Sequence, residues 1–172
     1  MSDQVVLVNE EDEAIGLMPK LEAHQKGVLH RAFSVFVFNS KGEMLLQRRA
    51  FGKYHSEGLW SNTCCSHPLD GETTYLGAVR RLREEMGITA ELNFLFTFQY
   101  RASLENGLTE HELDHVFWGV TDDLPELNPE EASDFRYLTT SEIRADVAAN
   151  PGAYTEWFKI CLSEVLDKIP LP

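Results

Sequence analysis

The sequence predicts an α+β fold: a mixed β-sheet packed between helices, formed as one domain over residues 1–172. Three observations carry this. One segment reads as a β-hairpin that is apolar on both faces, which places it inside a core. A central helix, its apolar residues on one face, stands between strand-like segments. Two more helices close the chain after the last strand. With 172 residues and 43% hydrophobic content, the chain is long enough to bury such a core.

In chain order, VVLVNEEDEAIGLMPK reads as two short strands around an acidic turn. RAFSVFVFNSKGEMLLQRRA reads as the hairpin: Phe33, Val35 and Val37 share one face, Phe36 and Phe38 the other, and Asn39 to Gly42 form the turn. TTYLGAVRRLREEMGI is a helix, because Leu76, Val79, Leu82 and Met86 recur at spacings of three, three and four. Thr73 or Thr74 supplies its N-cap and Gly87 its stop. LNFLFTFQYRAS and ELDHVFWGVT follow as strands, then TDDLPELNPEEAS as a Pro- and acid-rich loop. Thr140 to Ala148 and Thr155 to Leu166 are the closing helices, split by NPG.

Composition narrows the function. A formal charge of −13 argues against a nucleic-acid partner, since phosphate backbones need a basic face. The first residues are acidic where a signal peptide would be basic and then apolar, and no apolar run approaches the roughly 18 residues of a membrane span. Cys64 and Cys65 are adjacent, and neighbouring Cα atoms, about 3.8 Å apart, suit a disulfide poorly. With Cys161 as the only other cysteine, a reducing compartment fits best. The expectation is a soluble cytoplasmic protein without membrane or nucleic-acid partners. An anionic substrate would need a local cationic cluster to overcome the overall field.

Two groups of residues suggest chemistry. RRLREEMGI ends in Glu84 and Glu85, where the helix dipole disfavours acids. This is either a metal-holding position or an ion-paired solvated face, and helix chemistry favours the second. Six histidines are present, and Glu110 and Glu112 alternate on a strand, so they share a face. Imidazoles and carboxylates together would suit Zn²⁺, Mn²⁺ or Fe²⁺. They lie in separate segments, so spacing alone leaves open whether they meet.

The segment from about 66 to 88 resembles the Nudix box of diphosphate-handling proteins: Glu72, Arg80, Leu82, Glu84, Glu85, Gly87 and Ile88 match in spacing. Ser66 stands in place of the opening glycine, and Arg81 in place of a carboxylate that holds metal in Nudix hydrolases. The resemblance implies the Nudix fold and a diphosphate ligand, and Arg81 speaks against hydrolysis. GVLHRAFSVFVFN, LLQRRA, SNTCCSHP and EHELDHVF, taken with the helix, resemble the type 1 isopentenyl-diphosphate isomerases over about Lys20 to Trp157.

That family interconverts isopentenyl and dimethylallyl diphosphate. The resemblance implies that Cys65 and Glu112 are the acid–base pair, and that Tyr100 and Trp157 line the hydrocarbon pocket, where aromatic faces stabilise a cation. Tyr100 could also join a proton relay with Glu112. It implies one Mn²⁺, Zn²⁺ or similar divalent ion on His24, His30, His67, Glu110 and Glu112. A separate Mg²⁺ bound with the diphosphate would be held by Glu85 and the Cys65 backbone carbonyl. Lys20, Arg49, Lys53 and Arg81 would grip the diphosphate. Cys64 is expected to pack in the core. KYHSEG lacks the Trp-Pro or Phe-Pro found in some members, and the six-residue spacing of His24 and His30 is one of several in the family. The implied partner is a small isoprenoid diphosphate, the chain being a monomer or weak homodimer. The competing readings are a Nudix hydrolase and a binding module without turnover.

Overall fold

Strand β3, His30–Phe38, organises the sheet. The computed structural model describes residues 3–170. Two strands precede β3: β1, Gln4–Val8, and β2, Ala14–Pro19, which pair antiparallel around the acidic turn. Between β2 and β3 lies a short helix that the sequence did not announce, α1, Lys20–Lys26. It has only seven residues, follows Pro19 and lacks a side-chain cap, so neither periodicity nor capping chemistry marks it.

After β3 come β4, Met44–Arg49, and the short strands β5, Trp60–Ser61, and β6, Cys64–Ser66. Helix α2, Thr74–Met86, leads to β7, Asn93–Ser103, β8, Thr109–Val120, and β9, Ala132–Leu138. Helices α3, Thr140–Ala149, and α4, Glu156–Lys168, close the chain. Among the described residues, nine strands form one mixed sheet. β3 runs parallel to β8 along its whole length, from His30 opposite Glu112 to Phe38 opposite Val120. Its other edge is shared by β1, β6 and β4.

This corrects the expected hairpin. β3 and β4 pair only at their neck, Phe38 with Met44. Beyond it they part, and the β5–β6 segment enters between them: β6 pairs β3, and β5 pairs β4. Both faces of β3 are nonetheless buried as expected. Phe33, Val35 and Val37 pack with Ala78, Leu82 and Met86 of α2, and Phe36 and Phe38 pack with Ile143 of α3 and Phe158, Leu162 and Val165 of α4. The sheet therefore lies between α2 on one side and α3 with α4 on the other. Cys64 packs in the α2-side core, as expected.

Helix α2 begins at its Thr73 cap, whose side chain accepts from the Leu76 amide, and ends at Gly87 in the left-handed region, φ 66°. Its buried stripe differs from the expected one. Leu76 is 56% exposed, whereas Ala78, Leu82, Glu85 and Met86 are buried. Ala78 and Met86 lie one turn either side of Leu82, while Leu76, six residues away, is rotated by about 240°. The acid-rich loop also hides β9, which gains its strand character by pairing with β4.

Candidate active site

Sheet register builds the centre of the site. Parallel pairing puts His30 beside Glu112, and antiparallel pairing of β7 with β8 puts Tyr100 on the other side of Glu112. Residues directly opposite on neighbouring strands have Cβ atoms about 5 Å apart, so all three side chains touch. His30 Nε2 is 3.0 Å from Glu112 Oε2, and the Tyr100 hydroxyl donates to Glu112 Oε1 at 2.6 Å. His67 arrives from the loop after β6, with Nε2 2.8 Å from Glu112 Oε2. Glu110 lies two residues along the same face of β8, and its Oε2 is 3.3 Å from Nε2 of His24 on α1. His24, His30, His67 and Glu112 thus present ligand atoms within 4.8 Å of one another, and Glu110 adjoins that group through His24.

The cluster fits a divalent cation. His24 Nδ1 lies 2.7 Å from the Lys20 carbonyl oxygen, and His30 Nδ1 lies 2.9 Å from that of Val28. A carbonyl only accepts, so each Nδ1 carries a proton and each Nε2 aims a lone pair at a carboxylate. Only a cation, proton or metal, makes that arrangement favourable. Burial pulls both imidazole pKa values down, but the Glu110 and Glu112 carboxylates outweigh it and the net shift is upward. His24 Nε2 and Glu110 Oε2 are buried without an aligned hydrogen-bond partner. The nitrogen–oxygen separations of 2.8 to 3.3 Å approach the edge of an octahedron, about 3.0 Å for ligand distances near 2.1 Å.

Cys65 stands on β6, opposite Ser34 of β3. Its thiol donates to Asn62 Oδ1 at 2.9 Å, and its sulfur accepts from the Trp157 indole N–H at 3.1 Å. Burial, with the charge of Asp114 nearby, pushes the thiol pKa far up, so it stays protonated. Burial also raises the pKa of Glu112, but hydrogen bonds from His30 and His67 outweigh it and hold the carboxyl well below its usual range. Cys65, Glu112, Glu110, His67 and Trp157 line one small cavity. Tyr100 stands behind Glu112, its ring stacked on Phe98, and meets the cavity through the carboxylate it binds.

A wider cavity of about 130 Å³ adjoins this one, with Arg49, Tyr54, Cys65, Ser66 and His67 common to both. Lys20, Lys53, Arg81 and Glu85 line it as well. The cations expected to grip a diphosphate therefore converge at one mouth. Glu131, which the sequence did not single out, holds Lys53 at 2.7 Å and Arg81 at 3.1 Å. Arg81 also contacts Glu85 at 2.6 Å, and Gln47 donates to Glu85 at 2.9 Å. Arg49 places its guanidinium over the Trp157 ring, 5.2 Å from the centroid. The Nudix-box-like residues Glu72 and Arg80 form a two-pronged ion pair at 2.9 Å, so these two serve the loop and helix of the motif.

Sequence reasoning also missed His55, Asn62, Ser34 and Asp114. His55 Nε2 lies 2.9 Å from Glu110 Oε1, and Ser34 bridges Asp114, at 2.8 Å, to Cys65, at 3.5 Å. Asn62 was legible only as part of NTCCSHP, and none of these residues has a spacing that marks it. His111 and His115 fall outside the cluster: His111 meets the Gly27 carbonyl, and His115 pairs with Asp12.

The Nudix domain model matches residues 28–158. Isopentenyl-diphosphate Delta-isomerase 2 of Aromatoleum aromaticum is 52% identical over 167 residues, covering 97% of this chain and 88% of its own. The isopentenyl-diphosphate Delta-isomerase of Pectobacterium atrosepticum is 52% identical over 164 residues, covering 95% of this chain and 92% of its own. The chain belongs to the isopentenyl-diphosphate isomerase family of Nudix-fold proteins. A Deinococcus radiodurans protein of known structure superposes with a TM-score of 0.75 at 22% identity, covering 92% of this chain and 96% of its own. A MutT Nudix hydrolase from Burkholderia pseudomallei gives 0.64 at 18% identity, covering 80% and 98%. At such identities these two report the fold alone. As an isopentenyl-diphosphate isomerase family member, this chain sets Arg81 among the cations of the mouth, paired with Glu85. Among the described residues, no helix is long and apolar enough to cross a membrane.

Proposed function

We infer that this chain interconverts isopentenyl diphosphate and dimethylallyl diphosphate, adding a proton to the alkene and removing one from the neighbouring carbon. The observation that carries the reading is a cavity lined by both Cys65 and Glu112 and opening onto a cationic mouth. An unactivated alkene is a weak base, so its protonation needs a positioned acid and surroundings that tolerate a tertiary carbocation. Cys65 keeps its proton, and Glu112 is ionised, so the pair can serve as acid and base. The Trp157 ring beside them offers a π-face worth about 2 kcal/mol or more to a desolvated cation, with no lone pair to quench it. The Tyr100 hydroxyl holds Glu112 Oε1 and can pass a proton to it.

Lys20, Arg49, Lys53 and Arg81 would bind the diphosphate, with Lys20, Lys53 and Arg81 exchanging their present carboxylate partners for phosphate oxygens. Glu85 and the Cys65 carbonyl would hold a Mg²⁺ that offsets phosphate charge, since Mg²⁺ typically takes few protein oxygens plus phosphates. His24, His30, His67, Glu110 and Glu112 would hold one Zn²⁺, Mn²⁺ or similar ion. Its chemistry there is to fix the Glu112 carboxylate and lower its proton affinity. The substrate is a small molecule, and one copy of the chain carries every residue named here.

The test is an NMR time course of isopentenyl diphosphate with protein and Mg²⁺ in D₂O. Deuterated dimethylallyl product without phosphate release is expected. Phosphate release without isomerisation would instead establish a hydrolase and overturn the reading.

A further inference from the structure

His55 lies in KYHSEG, where sequence reasoning assigned it no role, yet it is 2% exposed and sits against His24 and Glu110. Its Nε2 is 2.9 Å from Glu110 Oε1, while Glu110 Oε2 faces His24. The two oxygens of one carboxylate thus face two different histidines, and the Nδ1 partners of those histidines differ. His24 Nδ1 meets a carbonyl, which leaves Nε2 as a bare lone pair for a cation. His55 Nδ1 instead meets the Ser56 hydroxyl at 3.0 Å, and a hydroxyl can donate. That contact permits the other tautomer, with the proton on Nε2, aimed at Glu110.

We propose that His55 is a positioning residue of the metal centre: its Nε2–H holds the outer oxygen of Glu110, so that Oε2 is presented to the ion together with His24. His55 Nε2, His24 Nε2 and Glu110 Oε2 are all buried without an aligned hydrogen-bond partner. The His55 contact is already short enough, and only its angle falls short. With Oε2 on a cation, a bond from His55 to Oε1 would hold the carboxylate plane. Ligating carboxylates are commonly held by such outer bonds. Direct ligation fits less well. His24, His30, His67 and Glu112 present atoms that lie within 4.8 Å of one another; Glu110 and His55 both join that group only through His24, and of the two only Glu110 has a second oxygen, so it can face the ion and His55 at once. A second ion would have to share His24, whose Nδ1 is committed to Lys20, leaving Nε2 alone to bind.

This inference rests on the metal-centre part of the proposed function, and Zn²⁺ binding measured by competition with a chelator separates the two. Wild type is expected to bind one Zn²⁺ per chain at the cluster. His55→Phe, which keeps the ring and removes the donor, is expected to bind about 10- to 100-fold more weakly. His55→Gln, whose amide reaches the Nε2 position, is expected to bind close to wild type. Glu110→Ala weakens binding too, and adding His55→Phe to it costs nothing further, because His55 acts through Glu110. Should His55→Phe fail to fold, His55→Asn replaces it: its shorter amide reaches only the Nδ1 position, so it binds weakly where His55→Gln does not. Unchanged affinity in His55→Phe (or His55→Asn), additive losses in the double variant, or a second wild-type ion lost with His55 would each overturn the proposal. Failure of wild type to bind Zn²⁺ would overturn the metal-centre reading itself.

Discussion

Cys65 sits where a thiol keeps its proton. Its hydrogen goes to Asn62, its sulfur receives the Trp157 indole N–H, and burial disfavours the thiolate. A thiol so held suits proton donation, whereas redox or metal-binding cysteines need the thiolate. Cys65→Ala should therefore lower turnover by at least about 10²-fold while leaving binding of the diphosphate nearly intact. Equilibrium binding beside a turnover assay checks this, and near-normal turnover would remove Cys65 from the chemistry. Tyr100→Phe keeps the ring on Phe98 and deletes only the bond to Glu112. A hydrogen bond to a charged group is worth about 1.5–3 kcal/mol, so kcat should fall about 10- to 100-fold with KM unchanged. A rise in KM instead would mean that the hydroxyl positions substrate rather than Glu112.

The elements matter because they bring these residues to one place. Glu112 was legible as a candidate from EHE alone, but spacing did not give its neighbours, which only the family resemblance supplied, since parallel β3–β8 pairing joins positions 82 residues apart. The apolar double-faced β3 and the capped, glycine-stopped α2 could be read directly, because local rules govern both. The parting of the hairpin, α1 and β9 could not, because they depend on which strand fills which edge. His55 remained hidden for the same reason: it sits in the loop between β4 and β5, and its meaning lies in Glu110, on β8. Glycine positions test this division between local and tertiary causes. Gly87 and Gly42 both have positive φ, 66° and 79°. A Cβ at Gly42 would meet nothing within 4 Å, whereas one at Gly87 would lie 2.4 Å from the Glu126 carbonyl oxygen. Gly42→Ala should cost about 1–2 kcal/mol, the left-handed penalty alone. Gly87→Ala should cost clearly more, because the 126 loop must move as well. Thermal or denaturant unfolding of both variants checks the order, and equal losses would show that the loop yields freely.

At the scale of the molecule, the cluster ties together α1, β3, the loop after β6, and β8, so an ion there would clamp segments from across the chain. Anything that binds only the folded state raises its stability by about 2.7 kcal/mol at a hundred times its dissociation constant. For a chain of this size, each kcal/mol moves Tm by about 2–4 °C. Removing the ion with a chelator should then lower Tm by several degrees, and adding Zn²⁺ should restore it. The effect should also depend on pH. His24 and His30 have raised pKa values in the metal-free fold. Their ion pairs stabilise that fold fully below the unfolded imidazole value, about 6.5, and the contribution is lost as pH rises through the raised folded values. An ion needs the same nitrogens unprotonated, so it gains affinity over the same interval. Burial holds the His67 pKa below its usual value, so a proton there competes less with the ion. The gap in Tm between loaded and metal-free protein should therefore widen as pH rises from about 6 through 8. Paired melting curves at fixed total Zn²⁺ across that range give the slope. A gap that stays flat would mean that protons and the ion do not compete at His24 and His30, and that the ion lies elsewhere.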